Sequence, residues 1–142
     1  MIHECVEIND IEIDKSIATL ITKLWLKGVR TYQSCGGGEF DLSTCGFKDA
    51  ADFVANGNTA FSGPAKGCSV SAPSDAYYIH DGKVYEKAYI ITHMQDLHIV
   101  LKYLAGKDPF IELQSSGGYV LSEYCENPCE EKDAAFIMFK NL

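Results

Sequence analysis

Apolar residues fall at Val6 and Ile8, then at Ile11 and Ile13, a period of two interrupted at Asn9-Asp10. That spacing predicts a strand, bent or turned at the Asn-Asp pair. The period then changes. Ile17, Leu20, Ile21, Leu24 and Trp25 lie at i, i+3, i+4, i+7 and i+8, one apolar stripe of an amphipathic helix. Asp14 is placed to cap that helix through its carboxylate, and Gly28 to end it. "VRTYQSC" follows, rich in strand formers. Strict alternation would put Val29, Thr31, Gln33 and Cys35 on one face and Arg30, Tyr32 and Ser34 on the other.

Residues 36–75 lose this regularity and are heavy in Gly, Ser, Ala, Asn and Asp. One short helix fits "FKDAADFVAN", with Phe47, Ala50, Ala51 and Val54 on one side. The remainder reads as a long inserted loop region, anchored by Phe47, Phe53 and Phe61 and expected to be ordered. Regular patterning returns at "AYYIHDGKVYEKAYII", where Asp81-Gly82 between two strand-like runs predicts a hairpin. Thr92 and Gln95 have the spacing of a capping box. Leu97, Val100, Leu101 and Leu104 make the second helical stripe, stopped at Gly106. A further hairpin is expected to turn at Gly117-Gly118, and "AAFIMFKN" reads as the last strand. Together these elements predict one α+β domain over 1–142. It is a two-layer sandwich, mainly antiparallel, with two main helices on one sheet face and an insertion at about 36–75.

Composition narrows the function. A chain of 142 residues is long enough for one domain with a core. Its net charge of −8 opposes a broad surface for long nucleic acid. A small anion held at one positive spot remains compatible with that charge. Arg30 is the single arginine among 12 basic residues. No apolar run approaches the roughly 20 residues of a membrane span, and "MIHECVEIND" lacks the parts of a signal peptide. The sequence therefore points to a cytoplasmic protein with reduced thiols and no membrane partner. The six cysteines, Cys5, Cys35, Cys45, Cys68, Cys125 and Cys129, contain no CxxC pair, so no metal site is expected. Cys125 and Cys129 could act as ligands only with distant partners such as Cys35 and Cys45. No cofactor is implied.

The stretch "IATLITKLWLKGVRTYQSCGGG" resembles a group of small bacterial and phage proteins. They share an amphipathic helix, a Gly-Ile-x-Thr strand and Ser-Cys-x-Gly. Leu20, Ile21, Leu24, Trp25, Gly28, Val29, Thr31, Ser34, Cys35 and Gly37 match that pattern. "AYIITHMQDLHIVLKYL" is similar to their second strand and helix. The resemblance covers about half the chain and implies a fold and a phage or prophage context. A more distant likeness is to the tRNA wybutosine-modifying methyltransferase family, with Ser-Cys-Ser-Gly after a comparable helix. The basic residues of such a tRNA site are missing here.

Three chemistries compete for Ser34-Cys35-Gly36-Gly37-Gly38. Glycine backbone can expose N–H groups to a phosphate or carboxylate, with Arg30 as a guanidinium fork and Tyr32 and Ser34 beside it. That set, Arg30, Tyr32, Ser34, Cys35, Gly36, Gly37 and Gly38, predicts a non-catalytic binder of a nucleotide-like or other anionic ligand. In a phage setting, the implied version is a sponge that sequesters a host defence signal nucleotide. Alternatively, Cys35 is a nucleophile with His80 or His93 as base. His93 and His98 are five apart and do not share a helix face for a metal. A third possibility is an interaction domain, a homo-oligomer and in the simplest case a dimer. Tyr77, Tyr78, Tyr85 and Tyr89 are expected to cover the sheet, one or two of them able to stack on a base. Glu126 and Glu130-Glu131 read as a solvated acidic edge.

Overall fold

The computed structural model describes residues 4–43, 46–56, 77–120 and 130–141. Cys45, Cys68, Cys125, Cys129, Glu126, Phe61 and most of the second half of the insertion lie outside them, as do the side chains of Val54, Glu130 and Glu131. The chain divides into two compact units. One comprises Ile2–Gly36 and Ala88–Leu142; the other comprises Gly37–Lys87 together with Met1. The insertion expected at 36–75 thus belongs to a unit that also takes in the Asp81-Gly82 hairpin.

The first unit starts with a two-stranded hairpin, β1 (Cys5–Ile8) and β2 (Ile11–Asp14). Asn9 and Asp10 both take positive φ, 51° and 66°, the conformation that a two-residue hairpin turn requires. A single 3-10 turn, Lys15–Ile17, leads into helix α1 (Ala18–Leu26). The Asp14 carboxylate does not cap it; the site description below shows why. Gly28 then takes φ 78°, a conformation that side chains resist. Strands β3 (Thr31–Cys35), β7 (Ala88–His93), β8 (Phe110–Val120) and β9 (Glu130–Phe139) form an antiparallel sheet of order β3-β7-β9-β8. Between β7 and β8 come a 3-10 turn, Met94–Asp96, and helix α3 (Leu97–Tyr103).

Both helices pack on one face of this sheet, as the α+β sandwich reading requires. Ile17, Ile21, Leu24 and Trp25 meet Val100 and Leu104 over Ala88, Ile90, Ile137 and Phe139. Each of these residues is at most 5% exposed. Burying such side chains contributes about 1.5–3 kcal/mol each, which fixes both helices to the sheet. The opposite face carries Tyr32, Ile91 and Ala134, flanked by Tyr89 and Phe136.

Two local expectations change here. His93 caps the 3-10 turn that precedes α3, its Nδ1 accepting the Gln95 N–H at 3.1 Å, and α3 itself, with Asp96 at its N-cap position, has no side-chain cap. The Thr92 hydroxyl instead donates to the Arg30 carbonyl at 2.8 Å, a cross-strand partner. Gly117-Gly118 is not a hairpin turn. Strand β8 runs through it, and the register with β9 slips between Ser115 and Tyr119. Paired glycines serve a bulge as well as a turn.

The second unit has a three-stranded antiparallel sheet, β4 (Gly38–Glu39), β6 (Lys83–Glu86) and β5 (Tyr77–His80), in the order β4-β6-β5. Helix α2 (Ala50–Asn56) packs against it. The inner side chain of α2 is Phe53, which joins Phe47, Val84 and the half-buried Phe40, Leu42, Ala50 and Tyr77, whereas Ala51 is exposed. Phe40, Phe47 and Tyr77 all meet the Phe53 ring, with centroids 5.2–5.4 Å apart. Tilted and edge-on geometries of this kind add to simple burial. Among the described residues, no helix is long and apolar enough to cross a membrane.

Candidate functional site

The Ser34–Gly38 stretch is built around a clasp at Gly36. Its N–H donates to Asp14 Oδ2 at 2.7 Å, and its carbonyl accepts from Asn141 Nδ2 at 3.1 Å. This is the use of the Asp14 carboxylate that leaves α1 uncapped. A Cβ at Gly36 would overlap Ser16 Oγ and lie 3.3 Å from the Cβ atoms of both Asp14 and Ser16. Glycine is required there by close approach. Gly37 and Gly38 take φ 64° and 150°, so they answer to backbone conformation instead. The Gly36 N–H that a phosphate would need already serves the fold.

Arg30 is also engaged. Its backbone N–H and Nε both donate to Asp96 Oδ2 at 2.9 Å, and Nη2 reaches Asp96 Oδ1 at 3.3 Å and Gln95 Oε1 at 3.4 Å. The two side chains are 29% and 13% exposed. The arginine fork therefore ties the start of β3 to the turn before α3.

The expected common surface of Arg30, Tyr32 and Ser34 does not form. The β3–β7 register slips between Thr31 and Gln33, and such a bulge inverts alternation beyond it. Thr31 sits on the helix side, where its Oγ1 accepts the Trp25 Nε1–H at 3.0 Å. Tyr32 packs with Ile91 on the other side. Ser34 pairs with Ile90, back on the helix side, and Cys35 pairs with Tyr89. Cys35, Tyr89, Met138 and Phe110 consequently form one cross-strand row. Next to it, Tyr89 and Phe136 stack with centroids 5.1 Å apart and planes at 21°.

The histidines offered as bases for Cys35 are placed by the same register. His93 lies four residues along β7 from Tyr89, the partner of Cys35. Four strand residues span about 13 Å, beyond any direct proton transfer. His80 lies in the second unit, with Nε2 3.4 Å from Asp81 Oδ2.

The second unit holds a cavity of about 500 Å³ between the segment after β4 and the β5–β6 turn. Its lining includes the apolar Phe40, Phe47 and Val84 and the charged Glu39, Asp41, Lys48 and Lys83. Sequence reasoning passed over this group because its members come from two segments, 39–48 and 82–84, far apart along the chain. The phenylalanine spacing at 40, 47 and 53 was its only local signal. The enclosing loop is folded by its own bonds. Asp41 Oδ1 accepts both the N–H and the hydroxyl of Ser43, at 3.0 and 2.6 Å, and the Phe40 N–H donates to the Val84 carbonyl at 2.8 Å. Lys83 Nζ is 3.7 Å from Glu39 Oε1. Elsewhere on this unit Tyr78 and Tyr85 stack at 5.3 Å and 19°. Burial, and then the neighbouring Tyr85, push the Tyr78 phenol pKa up.

Searches against family models, curated proteins and solved structures found no match to this chain.

Proposed function

We propose that this protein binds a small anionic molecule with a planar ring, nucleotide-like in chemistry, and does not convert it. The observation that carries this reading is the cavity of residues 39–48 and 82–84. Its volume of about 500 Å³ suits a small ligand. Phe40 offers an aromatic wall, and Lys48 and Lys83 offer ammonium groups to an acid group. The ligand site is thereby moved to the inserted unit from Arg30 and the Ser34–Gly38 stretch, where the Arg30 guanidinium and the Gly36 N–H hold the fold together. In the phage setting implied by the sequence resemblance, such a protein would act as a sponge for a defence signal nucleotide.

Native mass spectrometry of the protein purified from cells, followed by denaturation, tests this reading. Release of an intact, ring-containing anion is the expected result. A released molecule that the protein turns over on re-addition would replace binding with catalysis.

A further inference from the structure

The cavity lining is charge-balanced, with Glu39 and Asp41 against Lys48 and Lys83. The four groups are not equally available. Asp41 is engaged by Ser43 through both the backbone and the hydroxyl. Among the described residues, the Lys48 ammonium has no ion-pair partner, and its backbone N–H is bonded to Asp52 Oδ2 at 2.9 Å. Lys83 is paired with Glu39 at 3.7 Å, and both side chains are more than half exposed, 59% and 54%. Such a pair is weak and easily exchanged.

We infer that Glu39 is the selectivity element of this cavity: its carboxylate occupies Lys83 until a ligand carrying both an acid group and a planar ring displaces it. The inference rests on the reading of the cavity as the ligand site. An inorganic anion arriving at Lys83 exchanges one negative partner for another and gains little. An aromatic anion makes the same exchange and adds ring contact with the apolar lining of Phe40, Phe47 and Val84. The displaced Glu39 carboxylate is already half in water, so its release costs little. On a chain of net charge −8, this arrangement disfavours phosphate at Lys83 and still admits an aromatic acid there.

Fluorescence titration of the full chain with anilinonaphthalene sulfonate, an aromatic anion, tests the exchange. Glu39→Gln should bind the probe roughly two- to fivefold more tightly, the scale of an exposed ion pair. Inorganic phosphate should compete with the probe in Glu39→Gln and not in the unmodified protein. Lys83→Gln and Lys48→Gln should both weaken binding, with circular dichroism confirming that each variant folds. If the lysine variants weaken binding and Glu39→Gln changes neither affinity nor phosphate competition, the exchange is wrong and the cavity reading stands. If the probe does not bind, or neither lysine matters, the cavity reading itself is overturned.

Discussion

Asp96 receives the backbone N–H and the Nε of Arg30 on one carboxylate oxygen, each at 2.9 Å. The Arg30 carbonyl in turn accepts from the Thr92 hydroxyl and the His93 N–H. A single residue thereby locks the first strand–helix half of the sandwich to the second. Hydrogen bonds to charged groups contribute about 1.5–3 kcal/mol. Asp96→Asn should therefore lower stability by about 2 kcal/mol and the melting temperature by roughly 4–8 °C, while probe binding in the cavity is unchanged. An unaltered melting temperature would show that the pair is ornamental.

Gly36→Ala should destabilise the main unit by about 1–3 kcal/mol, the scale of overpacking. Ser16 Oγ must turn away, and two Cβ atoms at 3.3 Å must give. Ser16→Ala introduced into Gly36→Ala should restore part of the loss. Denaturant melts of the single and double variants measure this, and strict additivity would contradict the proposed contact.

Cys5 is exposed, yet its thiol is held above its ordinary pKa of 9.0. Local desolvation is the largest cause, followed by its hydrogen bond to Asp14 and the charges of Asp14 and Glu12. All disfavour the thiolate, which is the reactive form. Alkylation of Cys5 near pH 8, followed by peptide mass mapping, should be slower than that of a free cysteine, and Glu12→Gln should speed it. Reaction at the free-cysteine rate would refute the electrostatic account.

His93 caps the 3-10 turn that leads into α3, so His93→Ala should cost about 1 kcal/mol, and His93→Asn should recover most of it. Neither should alter the alkylation rate of Cys35, which lies about 13 Å away along the sheet. Slower alkylation of Cys35 in both variants would revive the thiol–imidazole pair.

The contrast between these residues shows what the sequence made legible. The helix stripe from Ile17 to Trp25 and the turn at Asp81-Gly82 depend on local period and local φ, and both appear as read. Asp14 and Thr92 were suitable caps by type, but each found a tertiary partner, Gly36 and Arg30, that no local rule contains. The bulge at Thr31/Gln33 reassigned the faces of Tyr32 and Ser34 because alternation presumes an unbroken ladder. The cavity was illegible for another reason: Lys48 and Lys83 come together only once the Phe40–Phe53–Tyr77 cluster has folded the insertion around β6.

The most direct measurement is native mass spectrometry of the protein and of its Lys48→Gln/Lys83→Gln variant, purified side by side from the same cells. The account predicts that the unmodified protein releases an intact aromatic anion on denaturation and that the variant, equally folded, releases none. The same molecule recovered in equal amount from both would place the ligand elsewhere and contradict the cavity as the functional site.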